Sequence, residues 1–185
     1  MKHLKQMSRL FIALTLLTSL VVGLTTVRAQ DQKVLKVAMG AAGTTVIWDV
    51  ALATDTTSHT FIEMMFPGLA PRDETTGEPQ HGMAESWDIS EDGRVYTFTI
   101  KQGVPWVVYD PATGSVVEVT DENGDVRYVT AHDFVYGALR TMDPETASDY
   151  GYLPADWVAG GNAFNAGEGA REDVAIQALD DYTLE

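Results

Sequence analysis

The chain has 185 residues, no cysteine, and 12 basic against 27 acidic side chains, a formal charge of −15. Without cysteine there is no disulfide framework, thiolate zinc site, cysteine nucleophile or lipid-attachment cysteine. The acid excess repels phosphate backbones and anionic headgroups, which argues against nucleic acid or a membrane surface as partner; a 45% hydrophobic composition supports one modest core.

Residues 1–9 carry Lys2, Lys5 and Arg9 and no acid, and the run LFIALTLLTSLVVGL at 10–24 is almost wholly apolar. Val27 and Ala29 then stand three and one residues before a cut ahead of Gln30. A basic start, an apolar run and a small-residue cleavage site predict a secretory signal peptide over 1–29. An uncleaved anchor is the competing reading, but spanning a bilayer takes roughly 18–20 apolar residues. Cleavage would leave eight basic residues against 27 acidic ones, in a protein released to the periplasm or secreted.

VLKVAM at 34–39 reads as a first strand, ended by GAAG at 40–43. After Trp48-Asp49 and a threonine-rich loop, Ser58 can cap a short helix with Phe61, Met64 and Met65 on its apolar face. Residues 70–82 form a turn-rich connection. Trp87-Asp88-Ile89, the turn Glu91-Asp92-Gly93 and RVYTFTI predict a hairpin, with Tyr96, Phe98 and Ile100 on one face. VVEVT at 116–120 and VRYVT at 126–130 flank DENGD, which predicts a second hairpin with Asn123-Gly124 in a type I′ turn. DENGD has its glycine too early, and no glutamate at the right distance, for a calcium loop.

The helix expected over 130–142 has Thr130 as N-cap, Asp133 as capping-box partner and a stripe of Phe134, Val135, Ala138, Leu139 and Met142. Asp143-Pro144 ends it. Residues 159–170 read as a loop, and VAIQAL at 174–179 as a strand followed by a turn and the opening of another strand.

No motif of catalysis emerges. His3 lies in the leader, while His59, His81 and His132 are isolated, and HExxH, GxSxG, Walker and dinucleotide patterns are absent. The carboxylates read as a solvated acidic surface rather than a general acid–base pair. No catalytic residue, metal ligand or cofactor is expected. Of the tryptophans, Trp87 and Trp106 read as packing residues; aromatics beside glycine-rich loops also suit a ligand cleft.

WDVALATDTTSHTFIEMMFPGL at 48–69, MAESWDISEDGRVYTFTIKQGVPW at 83–106, VTAHDFVYGALRTMDPETASDY at 129–150 and VAIQALDDYTLE at 174–185 come in an order that can be placed. They resemble the N-terminal lobe of the periplasmic oligopeptide- and dipeptide-binding proteins, extracellular solute-binding proteins of family 5. The resemblance implies an α/β, periplasmic binding protein-like fold of type II, two-lobed and hinged. This chain would hold its N-terminal lobe only, over 30–185. It implies the binding component of an ABC importer, monomeric and not an enzyme, which delivers a peptide to permease subunits in the membrane. Relatives that take nickel complexes, haem or oligosaccharides leave a non-peptide ligand open. A secreted hydrolase or an exported β-domain has less to support it. Positions matching the family's cleft are Thr54, Asp55 and Thr56 in the loop after Asp49, and Tyr150 at the end of DPETASDY. Two departures stand out: residues 107–129 intervene as an insertion, and Asp49-Val50 replaces the frequent Asp-Pro.

Overall fold

In the computed structural model the described residues are 46–185. The leader at 1–29, the strand expected at 34–39 and GAAG at 40–43 lie outside them. In chain order the described elements begin with helix α1 (Thr56–Met65), strands β1 (Ala84–Ile89) and β2 (Tyr96–Ile100), and strands β3 (Val107–Asp110) and β4 (Ser115–Glu118). Helices α2 (Ala131–Met142), α3 (Tyr152–Trp157) and α4 (Gly161–Asn165), a 3₁₀ turn (Arg171–Asp173), and strands β5 (Ala178–Asp180) and β6 (Thr183–Leu184) complete them.

The first hairpin forms as its alternation predicts. β1 and β2 pair antiparallel with Trp87 opposite Phe98, and Ile100 is fully buried. β6 then pairs with β2 and β5 with β6, giving a four-stranded antiparallel sheet in the order β1-β2-β6-β5. VAIQAL is strand only at its end: a 3₁₀ turn precedes it, and Gln177 exchanges backbone hydrogen bonds with Glu185.

α2 packs on this sheet, against β5 and β6. Thr130 is its N-cap, and the Asp133 carboxylate accepts from the Thr130 amide at 2.9 Å as the spacing predicts. The Ala131 amide donates to the Asp181 carbonyl in the β5–β6 turn, which ties the helix start to the sheet. Ala131 joins Met83, Ile100 and Leu184 in one buried cluster. Further along the same stripe, Leu139 and Met142 join Ala155, Phe164 and Val174 in a second. Val135 and Ile176 pack against both.

Five further expectations are overturned. α1 is capped by Asp55, whose carboxylate accepts from the Thr57 and Ser58 amides, so Ser58 sits inside the first turn. Its buried side is Ser58 and Ile62, whereas Met64 and Met65 are 70% and 48% exposed. Ser58 can be buried because its hydroxyl donates to Asp55 and accepts from the Ile47 amide. In the insertion, Val116 and Val117 pair back with Tyr109 and Val108, and the expected strands at 116–120 and 126–130 meet only at a Thr120–Val126 bridge. Asn123-Gly124 does turn the chain, but only Gly124 has positive φ, so the turn is not type I′. The Asp121 carboxylate shapes it by accepting from the Asn123 and Asp125 amides. Finally, the segment expected as loop over 159–170 contains α4. Gly160, at φ 82°, makes the approach to α4, in a place where a side chain would run into the Asp173 carbonyl.

The insertion is fastened at its root. Trp106 Nε1 donates to Asp133 Oδ2 at 3.1 Å, and Arg127 Nη2 to Asp133 Oδ1 at 2.6 Å. The Arg127 guanidinium also lies over the Trp106 ring at 5.2 Å. One carboxylate therefore caps α2 and anchors both ends of the arm.

Candidate ligand-binding site

Asp49 organises the loop that precedes α1. Its side chain accepts from the Ala51 amide at 2.9 Å, and its carbonyl accepts from Leu52 and Ala53 at 3.1 and 3.0 Å. Arg140, on the side of α2 away from the core stripe, donates two parallel hydrogen bonds to Asp49: Nη1 to Oδ1 at 2.8 Å and Nη2 to Oδ2 at 2.7 Å. This fork-to-fork geometry is the strong form of a charge-assisted pair. The guanidinium holds the Asp49 carboxyl below its ordinary pKa, and the carboxylate in turn raises that of Arg140.

A second tie runs from the segment after α2. The Ser148 hydroxyl donates to the Ala51 carbonyl and accepts from the Tyr150 amide at 3.3 Å. Loop and DPETASDY segment, about 95 residues apart in sequence, are thus bonded to each other and to α2.

Of the four residues the sequence points to, Thr54 is exposed in the loop and Thr56 is exposed at the first position of α1. Asp55 is occupied as the cap: Oδ1 accepts from two amides and Oδ2 from the Ser58 hydroxyl at 2.6 Å. The Ser58 hydroxyl is the main cause of a lowered Asp55 pKa, with the Ser58 amide next. Tyr150 is 38% exposed, and its ring centroid lies 6.5 Å from that of His59 on α1 and 6.4 Å from that of Tyr152. The structure therefore brings α1 and Tyr150 together through His59, and the loop and Tyr150 together through Ala51 and Ser148. No hydrogen bond joins Thr54 or Thr56 directly to Tyr150.

Sequence reasoning missed Asp49, Arg140 and Ser148 as the residues that hold this face, and read His59 as isolated. Nothing in a single sequence links positions 91 and 97 residues apart. Among the described residues no group of three or more His, Asp or Glu side chains is arranged to hold a metal, and no helix is long and apolar enough to cross a membrane.

Residues 78–185, more than half of the chain, match the sequence model described as bacterial extracellular solute-binding proteins, family 5 Middle. The chain belongs to that family. The oligopeptide-binding protein OppA of Bacillus subtilis is 39% identical over 133 residues, 72% of this chain and 21% of the relative. The periplasmic oligopeptide-binding protein OppA of Escherichia coli is 36% identical over 122 residues, 65% of this chain and 19% of the relative. The crystal structure of Haemophilus influenzae OppA in complex with RPPGFSPFR superposes with a TM-score of 0.59 at 29% identity, covering 74% of this chain and 23% of that one. The family 5 chain described here thus spans about a fifth of the length of the curated relatives it matches. Its fold is that of part of a periplasmic binding protein, as the resemblance implies. Members of the family are periplasmic or extracellular proteins that bind substrates for transport.

Proposed function

We propose that this chain contributes one face of the substrate-binding component of an ABC importer, which binds peptides outside the cytoplasm and delivers them to permease subunits. The observation that carries this reading is the union of the 49–56 loop with Tyr150, tied through Asp49, Arg140, Ala51 and Ser148. It places two exposed threonines and a tyrosine ring on neighbouring segments of a chain related to oligopeptide-binding proteins.

In this reading Thr54 and Thr56 offer hydroxyls and main-chain groups to a peptide backbone, which is how an extended ligand pairs with a protein while its side chains remain loosely specified. Tyr150 supplies contact area at low entropic cost, and its hydroxyl can still bond to water or ligand. Asp55 acts chiefly by fixing the start of α1, with one lone pair of Oδ2 left for a ligand. The protein is released after removal of residues 1–29, works as a monomer, and performs no chemistry on its ligand; the binding role needs neither a cofactor nor a metal.

Mass spectrometry of small molecules that co-purify with the exported protein tests the reading. A mixture of short peptides is expected. A single non-peptide species, such as a nickel complex, haem or an oligosaccharide, would overturn the peptide assignment. Tyr150→Ala is expected to weaken binding of those peptides about tenfold, the loss of one well-placed aromatic contact, measured by calorimetry.

A further inference from the structure

We propose that Arg140 is a positioning residue for the ligand face: its fork-shaped grip on Asp49 sets where the 49–55 loop and Tyr150 stand. This rests on the reading of Thr54, Thr56 and Tyr150 as ligand contacts.

The chain of contacts runs in one direction. α2 is fixed at both ends by core packing, with Ala131 in one buried cluster and Leu139 and Met142 in the other. Arg140 follows Leu139 on this rigid helix and holds Asp49 through two bonds of 2.7 and 2.8 Å. Asp49 in turn fixes the Ala51, Leu52 and Ala53 amides. The carbonyl of Ala51 then takes the Ser148 hydroxyl, to which the Tyr150 amide donates. A contact made by a planar, bidentate group transmits orientation as well as attraction, which a single ammonium cannot do.

The pair itself is only partly shielded, with side chains 32% and 34% exposed, so its worth to global stability is modest. Its distinctive effect is local: loss of the grip frees the loop while leaving both core clusters intact.

Amide hydrogen exchange on the full chain, followed residue by residue by NMR, tests this without any ligand. In Arg140→Gln the amides of Ala51, Leu52, Ala53 and Tyr150 are expected to exchange about tenfold faster, with those of Ile100, Leu139 and Met142 faster by no more than the roughly two- to fourfold that the modest global cost of the pair allows. Arg140→Lys is expected to show the same local loss, because charge without the fork does not restore the orientation. Asp49→Asn perturbs the grip from the other side and should give the same footprint, which keeps the test open if one variant folds poorly. Arg127→Gln, which removes the single-bonded ion pair at the arm root, should leave the loop amides alone. Rescue by lysine, acceleration spread evenly through the core, or no change would each overturn the proposal. Failure of the ligand reading would show instead as normal peptide affinity in Tyr150→Ala, with the exchange footprint intact.

Discussion

The Asp49 carboxylate balances two hydrogen-bond donors against partial burial. Its folded pKa lies below the ordinary value, first because Arg140 donates to it and then, against the opposing effect of burial, because Ala51 does. A group whose folded pKa is depressed stabilises the fold above its unfolded pKa of about 4, and that contribution is lost as pH falls through the folded value. Asp49→Asn keeps an oxygen for the Ala51 amide but gives up the charge. At pH 7 it is expected to cost about 0.5–1 kcal/mol, after allowance for solvent screening of a pair one-third exposed. At pH 3 the difference from wild type should shrink. Urea denaturation at the two pH values measures both; a cost that stays constant with pH would mean that the charge contributes nothing. Sequence alone could place Asp49 beside the candidate site, since Trp48-Asp49 opens a matching segment, but could not find its partner. Arg140 looks like any solvated residue opposite an apolar stripe, and only the path of the chain through space brings it to Asp49.

Among the elements, α2 was fully legible and the arm was not. Thr130, Asp133 and the stripe to Met142 are local signals, and local signals survive because their partners lie within one or two helical turns. The arm carries valines at 107, 108, 116, 117, 119, 126 and 129, so several registers look alike from pattern alone. The choice is made at its root, where Trp106 and Arg127 both reach Asp133. Asp133→Ala removes an acceptor shared by three donors and should cost about 2 kcal/mol, the upper end for loss of a helix cap. Denaturant titration measures the cost. Asp133→Ala should also shift Trp106 emission, which Thr130→Ala would not do to the same extent. The same contrast explains α1: hydropathy gave Met64 and Met65 to the core, whereas Asp55 and Ile47 satisfy the Ser58 hydroxyl and let the other face turn inward.

Among the described residues two buried clusters share one helix, while Ala51, Ala53 and Ile62 are buried apart from both. Ile100 belongs to the sheet cluster and Leu139 to the helical one, and Val135 and Ile176 touch both. Sequence periodicity supplied the α2 stripe but not this division. The partners of Leu139 and Met142 include Ala155 on α3 and Phe164, the latter in the glycine-rich stretch at 159–170 that reads as loop. Two clusters joined only by a flexible connection would melt separately; two that share α2, Val135 and Ile176 should melt together. Ile100→Ala and Leu139→Ala are each expected to cost about 2–5 kcal/mol, as truncations in a closely packed interior do. Each should lower a single transition seen alike by tryptophan fluorescence and by far-ultraviolet circular dichroism. Separate transitions, or a variant that melts one signal and spares the other, would show that the sheet and the helical region are independent. If they are coupled, the ligand face draws its rigidity from both clusters, because Arg140 stands next to Leu139 on the helix that joins them.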